Sequence, residues 1–327
     1  MKFFIYTFRE FDEKECFDAL QEKYGFEYAY SAEYPSLENV HFAKGYDAVS
    51  FTPFHCDAAL VEAFHAQGVR YLCARSIGFD HIDLEKAREL GMRVSCVSYQ
   101  PEGVADYAIL LMLMGCRKMN HIIERSKLQD YTLKGKLGRN LSGCTVGILG
   151  TGKIGGTVIR HLHGFGCKIL ANSLVEEDGL RELCDYVSLE EVLTQSDIIS
   201  LHMPAGGSNY HLLDRAAFDR MKPGVMIINT ARGSLIDTEA LIENLESGKV
   251  GFAALDVLEK EDSLYYINRV GDCIVNRQMA VLRSFPNVLL TPHTAFYTGE
   301  GVYEMAENTI LPMLDMEAGR DNPLIRV

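Results

Sequence analysis

The apolar positions of this chain fall into short continuous runs, separated by stretches in which apolar residues recur at helical spacing. In the first hundred residues the runs lie at 2–7, 26–30, 47–51, 70–74 and 93–97. Helical patterns fall between them, among them 12–23, 58–67 and 83–90. A strand buried on both faces reads as an unbroken apolar run, and an amphipathic helix as apolar residues three and four apart. The last of these helices carries its own punctuation. Asp83 stands where an N-cap belongs, and Gly91 where a helix stops. Five strands alternating with helices predict a doubly wound parallel sheet of flavodoxin-like form.

Pro101 opens a longer helix over 102–117, since proline is tolerated in a first helical turn. Its run Ala108-Ile109-Leu110-Leu111-Met112-Leu113-Met114 is apolar nearly all round. Burial on more than one face is therefore expected, through core packing and a subunit interface. Six further strands are predicted at 145–149, 168–171, 197–201, 225–229, 252–255 and 288–291, and a final helix at 300–318. That helix can return to the first domain. The expected architecture is α/β, with two doubly wound parallel-sheet domains. A Rossmann dinucleotide-binding domain at 101–296 is inserted into a flavodoxin-like substrate domain built from 1–100 and 297–327.

The first strand of the inserted domain runs into Gly150-Thr151-Gly152-Lys153-Ile154-Gly155. Strand, glycine-rich turn and helix is the order a dinucleotide site requires. Gly150 permits the turn, Gly152 lets a pyrophosphate approach the backbone, and Gly155 lets the helix pack on the strand. The phosphates would sit at the helix N-terminus, where free amides and the dipole favour an anion.

Composition narrows the function. The 327 residues carry a formal charge of −13, which argues against nucleic acid or an anionic membrane as partner. Nine cysteines, odd in number and without a CxxC pair, read as free thiols in a reducing compartment. The apolar N-terminus is interrupted at Arg9-Glu10, too early for a signal peptide. The most apolar helix, 104–116, includes Asp106 and falls short of the roughly 18 apolar residues of a membrane span. A cytoplasmic location is expected. Without HExxH or paired Cys/His spacing, no metal site is predicted.

Three polar segments follow predicted strands: Asn229-Thr230-Ala231-Arg232-Gly233, Asp256-Val257-Leu258-Glu259-Lys260-Glu261 and Thr291-Pro292-His293-Thr294. In open α/β sheets, ligands bind at that edge. Arg232 could clamp a carboxylate and polarise an adjacent carbonyl. His293 could give a proton while a nicotinamide gives the hydride, with Glu261 holding the imidazole in its protonated form. Ion pairing and turn formation would use the same residues, so the pattern alone leaves both open.

Over nearly its whole length the chain resembles the D-isomer-specific 2-hydroxyacid dehydrogenases. The likeness rests on Arg75-Ser76-Ile77-Gly78-Phe79-Asp80-His81-Ile82-Asp83, Tyr99-Gln100-Pro101, 150–155, Leu201-His202-Met203-Pro204, 229–233, Ala254-Leu255-Asp256, Pro286-Asn287-Val288 and 292–298. The insert at 262–279 and the run 164–171 are most similar to the D-lactate dehydrogenase branch, including its vancomycin-resistance type. The resemblance implies catalytic roles for Arg232, Glu261 and His293. Glu259 competes for the glutamate role, and family spacing favours Glu261. It further implies substrate binding by the amides of Ile77 and Gly78, and a pocket lined by Tyr99 and Phe296. Arg9 is either an active-site arginine or a surface charge, and His202 either a cofactor neighbour or a strand cap.

For the cofactor, the resemblance assigns Gly150, Gly152, Lys153, Ile154 and Gly155 to the phosphates. Met203, Pro204 and Asn209 fall along the nicotinamide half, and Thr230, Ala231 and Asp256 around the nicotinamide. One position departs from the pattern. Ser173 stands where an acid usually binds the ribose, followed by Glu176, Glu177 and Asp178 with no nearby Arg or Lys. Negative local charge favours NAD, and NADP stays open. The implied reaction takes a 2-keto acid to a D-2-hydroxy acid, with pyruvate to D-lactate as first choice. Phenylpyruvate and 2-ketoisocaproate are the larger alternatives, and a non-catalytic NAD(H)-sensing protein is the reading of another class. A homodimer is expected, with the stereochemistry resting on the resemblance alone.

Overall fold

The computed structural model describes residues 1–79, 81–261 and 264–327. Asp80 of the first matched segment and Asp262 at the start of the insert lie outside the described residues. The chain divides into two compact units, Met1–Gln100 with Tyr297–Val327, and Pro101–Phe296.

The first unit holds a five-stranded sheet of β1 (Lys2–Ile5), β2 (Glu27–Tyr30), β3 (Ala48–Phe51), β4 (Tyr71–Ala74) and β5 (Arg93–Cys96). Its order is β2-β1-β3-β4-β5 and every pairing is parallel. All residues of β3 and β4 are buried, as expected of parallel strands covered on both faces. Asp83 caps the helix Leu84–Glu89 by accepting from Lys86 N at 2.9 Å. The helix Gly299–Glu317 is tied into this unit where Asn308 Nδ2 donates to Ser98 O at 2.7 Å. The last residues lie along β5. Arg326 N donates to Val94 O at 2.8 Å, and Ser95 bridges Ile325 antiparallel.

The second unit holds β6 (Thr145–Leu149), β7 (Lys168–Asn172), β8 (Asp185–Tyr186), β9 (Ile198–Leu201), β10 (Val225–Asn229), β11 (Val250–Leu255) and β12 (Val288–Leu290). The all-parallel order is β12-β11-β10-β9-β6-β7-β8. The order reverses between β6 and β9, which is where a doubly wound sheet binds its ligand. Six strands were expected. The seventh, β8, has two residues at the sheet edge and is too short to carry an alternation.

The helix Glu102–Cys116 buries Val104, Ala105, Ala108, Ile109, Leu111 and Met112 and leaves Leu110 about half exposed. Lys118, in the left-handed region at φ 50°, breaks it from the helix Met119–Lys127. Among the described residues no helix is long and apolar enough to cross a membrane.

Candidate active site

The glycine loop follows β6 at the switch point. Gly150 has φ 94°, and its amide donates to Asn172 O at 2.8 Å. A Cβ there would come within 2.7 Å of His202 O, and one on Gly155 within 2.0 Å of Gly150 O. Both positions therefore require glycine sterically. Gly152 differs, since a Cβ there would meet nothing within 4 Å. Open space thus stands in front of the N-terminus of the helix Lys153–His163, whose first amides have no partner within the helix. Lys153 is exposed and Ile154 partly buried in that first turn.

Three loops leave neighbouring strands at the same edge. After β10, the Asn229 side chain shapes the turn: its Oδ1 accepts from Ala231 N at 3.0 Å, and its Nδ2 donates to Arg232 O at 2.8 Å. This is the local bonding through which asparagine forms turns. Arg232 Nη1 donates to Ala231 O at 2.8 Å. Thr230 is buried, and its Oγ1 is inaccessible and unpartnered among the described residues.

After β12 the chain turns through His293, a non-glycine residue at φ 52°. Asp256, fully buried at the end of β11, holds this turn. Its Oδ1 accepts from Thr291 Oγ1 at 2.6 Å and Thr294 N at 2.9 Å, and its Oδ2 from Ala295 N at 2.9 Å. A carboxylate offers about four acceptor positions, so three are committed to the turn. The His293 amide donates to Asp256 O at 2.8 Å, and its carbonyl accepts from Tyr266 Oη at 2.8 Å.

The imidazole meets Glu261. His293 Nδ1 lies 2.7 Å from Glu261 Oε1, while Glu261 Oε2 accepts from Leu258 N at 2.7 Å. The Phe296 ring stands edge-on to the imidazole at 6.4 Å. Glu259 has other partners: His211 Nε2 at 2.7 Å, and Thr238 N and Oγ1 at 3.0 and 2.6 Å. Lys260, in the left-handed region at φ 57°, turns the chain between the two glutamates.

In the first unit, Arg9 makes ion pairs with Asp12 at 3.0 Å and Glu13 at 3.2 Å, and its guanidinium lies 5.7 Å from the Tyr297 ring centre. Arg75, fully buried at the end of β4, pairs with Glu13 at 3.0 Å and donates to Thr7 O at 2.9 Å. The next residues make a tight turn in which Ser76 Oγ donates to Gly78 O at 2.5 Å. Among the described residues the amides of Ile77 and Gly78 have no hydrogen-bond partner. Ile77 is exposed and Tyr99 partly so.

The sequence that carries this edge, with its Arg, its Glu–His pair and its aromatic ring, matches a known family model. Residues 109–295 fit the D-isomer specific 2-hydroxyacid dehydrogenase, NAD binding domain. The chain belongs to the D-isomer-specific 2-hydroxyacid dehydrogenases. It is 38% identical over 320 residues to an aromatic 2-oxoacid reductase of Clostridium sporogenes, covering 97% of this chain and 96% of that one. It is 36% identical over 326 residues to the D-lactate dehydrogenase of Escherichia coli K12, covering 99% of each. Among solved structures, the NAD-complexed D-isomer specific 2-hydroxyacid dehydrogenase of Lactobacillus delbrueckii ssp. bulgaricus matches with a TM-score of 0.86 at 25% identity, over 100% of both chains.

The residues present fit the NAD that this family's binding domain takes. Space opens in front of Gly152 at a helix N-terminus, and Thr230 Oγ1 is a buried hydroxyl without a partner. Asn209 is instead used within its own loop: its Oδ1 accepts from Gly206 N and its Nδ2 donates to Pro204 O, each at 2.7 Å. Met203 packs partly into the core, and Pro204 is exposed. Ser173 is partly exposed after β7.

The three acids beyond Ser173 are ion-paired. Glu177 pairs with Arg160, and Glu176 and Asp178 with Arg181. Those cations come from the preceding helix and the following turn, so a search of the residues just after Ser173 misses them. His202 Nε2 lies 2.8 Å from Ser200 Oγ, and burial pulls its pKa down to about 4. Sequence reasoning also passed over Asn229, His211 and Tyr266. For Asn229 the signal was there, an Asn two residues before the turn amide it binds.

Proposed function

We propose that this member of its family uses NADH to reduce a small 2-keto acid to the D-2-hydroxy acid, with pyruvate to D-lactate the preferred conversion. The observation that carries this reading is the 2.7 Å contact between His293 Nδ1 and Glu261 Oε1. With Nδ1–H donated to the carboxylate, Nε2 is the nitrogen left for proton transfer. NADH supplies the hydride when bound. Arg232 binds the substrate carboxylate and polarises the keto oxygen. His293 gives that oxygen its proton from Nε2, and Glu261 orients the ring and stabilises its positive charge. The amides of Ile77 and Gly78, unpartnered among the described residues, are assigned to substrate binding, as are Tyr99 and Phe296.

On the cofactor side, Gly150, Gly152, Lys153, Ile154 and Gly155 hold the pyrophosphate, with Ser173 near the ribose. Met203, Pro204, Thr230 and Ala231 surround the nicotinamide half, helped by Asn209 through the shape of its loop. Asp256 acts chiefly by fixing the His293 turn. In this assignment Pro101–Phe296 is the dinucleotide-binding domain, and Met1–Gln100 with Tyr297–Val327 the substrate domain. Arg160 and Arg181, the cations that meet the acids beyond Ser173, are committed to ion pairs, which favours NAD over NADP.

A matrix of steady-state rates tests the proposal, with NADH and NADPH against pyruvate, phenylpyruvate and 2-ketoisocaproate. NADH with pyruvate is expected to give the highest kcat/KM. Clear NADH binding without turnover of any 2-keto acid would replace the enzyme with an NAD(H)-sensing protein. Faster use of phenylpyruvate is the second reading, favoured by Phe296 beside His293.

The same proposal includes a homodimer. Leu110, Leu128, Tyr131, Leu133 and Leu137 are exposed on or after the helix Glu102–Cys116, too much apolar surface for free solvent. A cavity of about 550 Å³ lined by Gly115, Leu137, Met226 and Phe252 adjoins them. A monomeric mass at micromolar concentration would refute the dimer. Six buried cysteines support a reducing, cytoplasmic setting.

A further inference from the structure

A second histidine–glutamate pair, His211 with Glu259, stands beside the one just described. His211 Nε2 lies 2.7 Å from Glu259 Oε1, and Asp237 Oδ2 is 3.9 Å from Nδ1. The Tyr210 ring stacks on the imidazole at 3.9 Å. Both partners are anchored. Glu259 Oε2 accepts from Thr238 N and Oγ1 at the start of the helix Thr238–Glu246. The His211 amide donates to Ser234 O at 2.8 Å, Leu213 N donates to Leu235 O at 3.0 Å, and Leu213 bridges Ile236 in parallel.

These contacts join three loops. Residues 211–213 run along 234–236, immediately after Arg232. Gly233 presses on Leu258–Glu259, where a Cβ would lie 2.4 Å from Glu259 N. Leu258 N in turn holds Glu261. His211 adopts φ 52°, an uncommon conformation for a non-glycine residue, and one that persists only when its surroundings determine it.

The geometry points to His211–Glu259 as a positioning pair for the reaction. It fastens the loop after β9, to which Met203, Pro204 and Asn209 belong, onto the segment that carries Glu261. NADH affinity and the alignment of Glu261 on His293 then depend on the same hydrogen-bonded pair. This inference rests on the reaction proposed above.

The experiment compares wild type, His211→Ala and His211→Gln. It measures NADH Kd by fluorescence titration, kcat and KM for the keto acid, and Tm. Gln keeps an N–H donor for Glu259 and Ala does not. His211→Ala should raise the NADH Kd and lower kcat by about tenfold each, the loss of one charge-assisted hydrogen bond. His211→Gln should recover most of both, with Tm little changed in either. If His211→Ala does not fold, Glu259→Gln keeps an acceptor for Thr238 and should show about a threefold loss from the missing charge.

A His211→Ala enzyme within about twofold of wild type in Kd and kcat, or a His211→Gln enzyme as impaired as His211→Ala, overturns the inference. Wild type that neither binds NADH nor turns over sinks the reaction and this inference together. Active wild type with an unaffected His211→Ala sinks this inference alone.

Discussion

Gly233 lies so close to Leu258 that a Cβ on Gly233 would come within 2.0 Å of the Leu258 carbonyl carbon. The obstacle is backbone, so it cannot rotate away. The loop carrying Arg232 and the loop carrying Glu261 are therefore spaced by the absence of one methyl group. Gly233→Ala should cost about 3 kcal/mol, read as a lower urea midpoint. Activity should fall further than stability, because Arg232 and Glu261 both shift. Wild-type kcat/KM in Gly233→Ala would mean that the two loops tolerate separation.

His293→Ala and Arg232→Lys should fail differently. Removing the imidazole removes the proposed proton donor, so kcat should drop by about 10²–10⁴ while NADH Kd stays near wild type. Lysine keeps the charge of Arg232 but cannot span two carboxylate oxygens. Its main effect should be a KM for the keto acid raised by about tenfold or more. Fluorescence titration alongside initial rates separates the two patterns.

His202 should make stability depend on pH. Burial depresses its folded pKa to about 4 from an ordinary 6.5. The unfolded chain therefore takes up a proton below about 6.5, while the folded protein does not until about 4. This contribution is present above 6.5 and is lost as pH falls towards 4, with a slope of at most about 1.4 kcal/mol per pH unit. His202→Gln should flatten that part of the difference curve in urea unfolding at a series of pH values. A parallel pair of curves would show that His202 titrates normally.

Thiol reactivity should sort by burial. Cys273 is exposed, whereas burial pushes Cys56 and Cys73 up to about 12 and Cys116 and Cys184 up to about 11. At mildly alkaline pH the native protein should show one fast thiol towards a disulfide reagent, assigned to Cys273 by Cys273→Ser. The buried ones should react only after denaturation. Rapid labelling of Cys56 or Cys73 would contradict their burial.

Much of this fold is legible because parallel strands buried on both faces read as continuous apolar runs, β3 and β10 among them. Short β8 carries no such run. The choice between Glu259 and Glu261 was visible in the chain only as a matter of spacing. In the structure Lys260, with its left-handed backbone, stands between the two, and their carboxylates meet different histidines. No periodicity announces a single residue of that kind. Arg160 and Arg181 were missed for a related reason, since ion pairs at 17 and 5 residues' separation from Glu177 and Glu176 obey no local pattern. Asp256 was expected beside the nicotinamide, whereas its three bonds to the His293 turn needed coordinates.

The pairing of residues 324–327 with β5 has a consequence for synthesis. Residues 1–100 are made before 101–296, yet the helix Gly299–Glu317 and the chain that lies along β5 come only after all of 101–296. The unbroken middle unit can complete its core while translation continues. The unit built from 1–100 and 297–327 must wait until the second of these segments has been made, its half-covered sheet exposed meanwhile. Nascent-chain stalling should therefore catch the glycine-loop unit folded and protease-resistant, beside a first segment still open to cleavage.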